Sequence, residues 1–177
     1  MIISVEKAKA LIGDFGGWTD EKIEMKLKAI EQTIRAYTNN NFQNRGCRVR
    51  AWIAGNTVMS DALIPFEVGD TVQISDSRYN SGLYVVTAAN DTTFTVSEDL
   101  KDENSVLVTQ IIYPADVIDC CINLLEWEKE HRAKVGIQSE TLSRHSVTYF
   151  NMDGGNSVMG YPVSLLGCLK AYRKARC

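Results

Sequence analysis

The chain has 177 residues, 45% of them hydrophobic, and 19 lysines and arginines against 22 aspartates and glutamates, for a formal charge of -3. That is enough apolar material for one packed domain, or for a small domain carrying an inserted one, and it excludes disorder by composition. The mild acidity excludes an overall basic field of the kind that gathers nucleic acid or anionic lipid unaided.

The opening residues MIISVEKAKALIG carry charge within their first turns and have neither a basic lead nor a long apolar run. They predict a helix from Ser4, ended by the glycines at 13, 16 and 17, and not a secretory signal. No apolar run approaches the roughly 20 residues needed to cross a bilayer, so a soluble, intracellular protein is expected. Thr19 and Asp20 can cap a second helix whose positions Ile23, Leu27, Ile30, Ile34 and Tyr37 recur at the helical period. Lys22, Lys26, Lys28 and Glu31 are assigned to its opposite, solvated face. Asn39, Asn40 and Asn41 follow, and asparagine tolerates the left-handed conformation that ends helices.

From about 47 to 113 the texture changes to short alternating or β-branched runs, RVRAWI, DTVQIS, LYVVTA, TFTVS and SVLVTQII, separated by GN, SRYNSG, ND and DENS. Five or six strands at that spacing predict a small barrel. The stretch VGDTVQISDSRYNSGLYVVTAANDTTFTVSEDL resembles an SH3-like barrel in its strand, glycine-bearing turn and two closely following strands. This part of the chain is locally acidic, which argues against direct DNA binding by it, since phosphate contact is dominated by lysine and arginine.

Pro114 suits the start of a third helix and Asp116 the positive end of its dipole. The helix is expected to run to about Lys134 with Val117, Ile118, Cys121, Ile122, Leu124, Leu125 and Trp127 forming a broad buried face, and Gly136 closing it. HSVTYF (145–150) alternates and predicts a single polar strand with flexible loops on both sides, unable to satisfy its own backbone groups. Pro162 begins a last helix with Leu165, Leu166, Leu169 and Tyr172 inward and four basic residues, Lys170, Arg173, Lys174 and Arg176, in its final turns. The fold class is therefore α+β, a small bundle of about four helices interrupted by an inserted small β-barrel. Residues 1–46 and 112–177 form the helical part, with an arm at 137–161, and 47–111 form the inserted module.

Candidate chemistry is sparse. Ser139, Glu140, Ser143, His145 and Ser146 crowd one stretch, but no GxSxG or strained strand-to-helix turn accompanies them, and a polar loop explains them better than a hydrolase triad. Glu128 and His131 stand three apart on a helix, as in di-metal bundles, yet with two histidines in the chain the second half of such a site is lacking. Alternating glutamate and lysine there reads as a solvated face. Five cysteines, at 47, 120, 121, 168 and 177, contain no CxxC, so free thiols are expected. Cys120 and Cys121 point about 100° apart on a helix, which suits apolar packing for at least one of them and not a shared metal. The glycine pair in NMDGGNSVMG lacks the lysine and hydroxyl partners of a phosphate loop and reads as a hinge.

Taken in succession, IRAYTNNNF (34–42), YPADVIDCCINLLEWEKEHRAKVGIQSETLSRHSVTYF (113–150) and YPVSLLGCLKAYRKAR (161–176) resemble the head-tail connector, or adaptor, proteins of long-tailed bacteriophages. The shared features are the helix ending near Gly136, the Gly-Ile-x-Ser-Glu turn, the Ser-Val-Thr-Tyr strand and the Tyr-Pro before a Leu- and Arg-rich helix. The resemblance covers about 1–44 and 112–177; the barrel is a departure from compact members. It implies a non-enzymatic structural subunit, without catalytic residue, cofactor or metal, assembled in the bacterial host cytoplasm and located in the virion neck. There it would form a homo-oligomeric ring, typically dodecameric, between the portal protein and a tail-side neck or tail terminator protein, with DNA passing through and no membrane involved. It further implies a subunit interface at Ile137, Ser139, Glu140, Ser146, Val147, Tyr149 and Phe150, and portal or channel contact at Tyr161, Lys170, Tyr172, Arg173, Lys174 and Arg176. The alternative is a nucleic-acid-binding module using the barrel and the basic C-terminal helix.

Overall fold

The first two helices begin as their capping residues dictate. In the computed structural model, which describes residues 1–135, 155–175 and the backbone of 139–142 and 145–148, the Ser4 hydroxyl accepts from the Lys7 amide ahead of α1 (Val5–Ile12). Gly13, at φ 79°, closes that helix. Thr19 accepts from the Lys22 amide ahead of α2 (Asp20–Thr38), and Asn39 ends it in the left-handed region at φ 47°, ψ 37°. Ile23, Leu27, Ile30 and Ile34 are buried as their period requires, and Tyr37 is half-buried. Glu31, assigned above to the solvated face, is buried instead. Four residues after Leu27 and three before Ile34, it lies on the same stripe as they do.

α3 (Ala115–Glu130) follows Pro114 and buries Val117, Cys120, Cys121, Leu124 and Leu125. Ile118, Ile122 and Trp127 are half-buried along its flanks. It stops short of Lys134: a single 3₁₀ turn, Arg132–Lys134, completes it, and Val135 is already extended. The last helix is also not α-helical. Val163–Tyr172 is a 3₁₀ helix, in which residues three apart eclipse. Leu166 and Leu169 are therefore the buried pair, while Leu165 and Tyr172 are half-buried.

The barrel consists of β1 (Gln43–Ala54), β2 (Thr57–Met59), β3 (Thr71–Ser75), β4 (Gly82–Ala89), β5 (Thr93–Val96) and β6 (Glu103–Ile111). They close in the order β1-β2-β5-β4-β3-β6, every pair antiparallel, with β6 returning to β1. Alternation fills the inside with Val49, Ala51, Ile53, Val72, Ile74, Val86, Phe94, Val96, Val106 and Val108. Phe66 meets Phe94 edge to face at 5.6 Å. Gly55 and Asn56 form the two-residue link from β1 to β2, with Gly55 at φ 58°, the sign that tight hairpin turns require. β1 begins five residues before RVRAWI and slips register between Asn44 and Arg48 against β6. Residues 43–46, grouped above with the helical part, are thus the first residues of a barrel strand.

By contacts the chain divides into two compact units, Met1 with Asn41–Tyr113, and Ile2–Asn40 with Pro114–Cys177. Within the second, α3 packs on α1, α2 and the final 3₁₀ helix. Two small sheets complete it. β7 (Ser139–Leu142) and β8 (His145–Thr148) are antiparallel partners, Ser139 opposite Thr148 and Leu142 opposite His145. The strand expected to stand alone therefore finds its first partner in its own chain. β9 (Ser157–Val158) and β10 (Tyr161–Pro162) flank the tight turn of Met159 and Gly160, both at positive φ.

Candidate functional site: the root of the arm

Both ends of the arm come to one place. Outgoing chain leaves from the last turn of α3, and returning chain enters through the β9-β10 hairpin. Glu128 continues the stripe Val117, Cys121, Leu124 at the helical period, so its side chain points into the bundle, where it is only 2% exposed. Its carboxylate accepts from Lys26 Nζ of α2 at 2.7 Å and from Arg132 Nε, one turn on, at 2.8 Å, with Arg132 Nη2 as a further donor.

The guanidinium of Arg132 then ties the two ends together. It lies 4.6 Å from the Trp127 ring centroid and 5.0 Å from that of Tyr161, and those two rings meet at 5.4 Å. Its Nη1 donates to the Gly160 carbonyl at 2.9 Å. One arginine thus binds the helix that precedes the arm and the turn that follows it.

The electrostatics suit a fastener. Burial alone would raise the Glu128 pKa, but hydrogen bonds from Arg132, Lys26 and Tyr161 outweigh it and hold the carboxyl down at about 2. Burial, with the hydrogen bond to Glu128, pushes the Tyr161 hydroxyl up from its ordinary value. Both shifts keep the carboxylate charged and the hydroxyl protonated near neutral pH, which suits a holding role. Removing the carboxylate would strand two cations around a buried space, the situation in which broken ion pairs cost most. His131, weighed above as a co-ligand of Glu128, is on the surface 3.9 Å from Glu130 Oε2, while the Glu128 carboxylate is taken by Lys26 and Arg132. Among the described residues no group of three or more His, Cys, Asp or Glu is placed to hold a metal.

A second attachment holds the C-terminal tail. The 3₁₀ helix stops at Tyr172 and Arg173 turns extended, so Arg173 and Lys174 are not in helical turns as expected. The capped end of α2 supplies the reason. Asn40 Nδ2 donates to the Tyr172 carbonyl at 3.3 Å and Asn39 Nδ2 to the Ala175 carbonyl at 2.9 Å, while the Lys174 amide donates to the Thr38 carbonyl at 2.8 Å. Arg173 lies over the Tyr37 ring at 5.3 Å. Tyr172 donates its hydroxyl to Asp116, a bond that raises its pKa.

Of the residues named for portal or channel contact, Lys170, Arg173 and Lys174 are exposed. Tyr161 is 5% exposed and serves the root of the arm, so little of it is left to face a partner. Arg176 lies outside the described residues. Of the interface set, Ser139, Glu140, Ser146 and Val147 fall on β7 and β8, and Ile137, Tyr149 and Phe150 lie outside the described residues, as does Ser143. Lys26, Glu128 and Arg132 were not singled out together from sequence. The available signal was the spacing of 128 from 124, which puts a charge on the apolar stripe.

On the barrel, the SRYNSG turn is pinned by Glu103, which accepts from the Arg78 amide and Asn80 Nδ2, both at 2.6 Å, and from the Ser77 hydroxyl. The turn presents Tyr79, 54% exposed, between Arg78 and Lys101, which lie 5.2 and 5.3 Å from its ring. No family model and no curated protein matches this chain.

Proposed function

We propose that this chain is a head-tail connector subunit of a long-tailed bacteriophage, a non-enzymatic building block of the virion neck. Copies join in a ring beneath the portal, link the packaged head to a tail-side neck or terminator protein, and leave a channel for DNA. The observation that carries this reading is the arm root. A two-stranded sheet of four-residue strands is marginal by itself, and its outer edges offer backbone donors and acceptors to another strand. Fastening both ends of the segment to a buried ion cluster suits an element that must bear load from a neighbour. Ser139, Glu140, Ser146 and Val147 on those strands, with Ile137, Tyr149 and Phe150 next to them in sequence, are the subunit interface in this reading. The exposed Lys170, Arg173 and Lys174, together with Tyr172 and Arg176, face the portal or the channel. The SH3-like character of the barrel belongs to the same reading and rests on the strand spacing across 68–100.

Native mass spectrometry and negative-stain imaging of the protein, alone and with its portal, test the proposal. Closed cyclic oligomers are expected; a strict monomer that ignores the portal overturns it. Steeply salt-dependent DNA binding, weakened when Arg173, Lys174 and Arg176 become alanine while no ring forms, would favour the nucleic-acid-binding alternative.

A further inference from the structure

Two thiols on different elements share one acceptor. Cys120, on α3, donates to the Leu165 carbonyl at 3.4 Å, and Cys168, on the final 3₁₀ helix, donates to the same oxygen at 3.7 Å. The Cys168 thiol is also close enough to help raise the Cys120 pKa. Cys120 is buried and Cys168 exposed. Cys121, next along α3, is buried too, and its neighbours on the stripe are Val117 and Leu124. The geometry therefore selects one pair among the described cysteines.

We infer that Cys120 and Cys168 are a disulfide-forming pair, an oxidation site that staples the final 3₁₀ helix to α3. The oxidant is a small disulfide such as oxidised glutathione. The Cys168 thiolate, the accessible one, attacks a sulfur of that disulfide, forming a mixed disulfide and releasing one glutathione thiolate. The Cys120 thiolate then attacks the Cys168 sulfur, forming the internal bond and releasing the second glutathione. The two thiol protons end on the two glutathiones, and two electrons pass from the protein to the oxidant. Burial, then the neighbouring Cys168, pushes the Cys120 thiol up from its ordinary value, so the second step is the slow one and quickens as pH rises. The bond would close a loop of chain that contains the whole arm, so its formation reduces the freedom of the unfolded chain substantially.

The test is to incubate the full-length protein with oxidised glutathione and read the intact mass, a non-reducing peptide map and the melting temperature. Expected are a loss of two hydrogens per chain, a linked peptide pair whose fragmentation places the bond at Cys120 and Cys168, and a melting temperature higher by about 5–10 °C. Both the linked pair and the rise should vanish in Cys168→Ser, whose site is at the surface, and in Cys120→Ala, and both should persist in Cys121→Ala. A map in which Cys168 carries only glutathione, or in which the bond goes to Cys121, overturns the inference. None of these outcomes depends on ring formation.

Discussion

Two hydrogen-bonded carboxylates, one in each unit, show how differently the two halves of the molecule are held. In the barrel, Glu103 is bound by neutral donors, a hydroxyl, a side-chain amide and a backbone amide, all from one turn. In the helical unit, Glu128 is bound by two cations, one of them 102 residues away. Burial would raise both pKa values, and in both the hydrogen bonds reverse that. Glu103 thereby shapes a surface loop at the start of β6 in the closed sheet. Glu128 joins segments that no local pattern would bring together. The lesson is that the barrel is an autonomous shape with a decorated turn, whereas the helical unit depends on a few long-range polar attachments to place its arm and tail.

That contrast can be broken at its strongest points first. Phe94→Ala removes the largest fully buried side chain of the barrel and should destabilise it by about 3–5 kcal/mol. Denaturant titration followed by near-ultraviolet signals from each unit should show the barrel melting early. Glu128→Ala should cost the helical unit about 3–5 kcal/mol by leaving Lys26 and Arg132 without their anion, and the β9 and β10 amides should lose protection from hydrogen exchange. The same carboxylate sets an acid limb. Its folded pKa lies below its ordinary value of 4.5, so its contribution is complete above that value and disappears as pH falls towards about 2. In Glu128→Gln the wild-type loss of stability between pH 4.5 and 2 should be markedly shallower.

Smaller effects sharpen the picture. Asn80 donates to Glu103 and the Lys101 carbonyl and accepts from the Lys101 amide. Asn80→Ala should therefore cost about 2 kcal/mol and loosen the Tyr79 turn without unfolding the barrel. Asn39→Ala combines a left-handed backbone position with the loss of the tie to Ala175, at about 1 kcal/mol. Its sharper readout is faster amide exchange at Lys174, which Asn39→Gly should reproduce with a smaller loss of stability.

How much of this was legible beforehand follows from the range of the forces involved. Caps such as Ser4, Thr19 and Asn39 act within four residues, and alternation in TVQIS or TFTV acts within a strand, so the helix starts and most of the barrel strands can be read directly. β2 was lost because three residues, TVM, are too few to show a period. β1 was cut short because the register slip at residues 45–47 interrupts the alternation. The 3₁₀ form of 163–172 escaped because apolar positions at 165, 166 and 169 satisfy either helical period. By their chemistry Glu31 and Glu128 suit water, yet their spacing places them on apolar stripes; for these two residues the spacing is the better guide. The tail clamp had no sequence signal at all, since Asn39 and Asn40 looked like cap residues and nothing marks their bonds to residues 172–175. The arm shows one strand in sequence because its partner, SETL, is too polar and short to stand out.

The barrel starts and finishes at one doorway. Gln43 is opposite Ile111 in the sheet, the Ile112 amide donates to the Phe42 carbonyl at 3.0 Å, and the rings of Phe42 and Tyr113 meet at 5.1 Å. Adjacent strands are separated by about 5 Å, so the module occupies its host as a cassette with a single slot. A handful of glycines between Asn40 and Pro114 would replace it, and the excised piece would carry its own closed hydrogen-bond ladder into another scaffold.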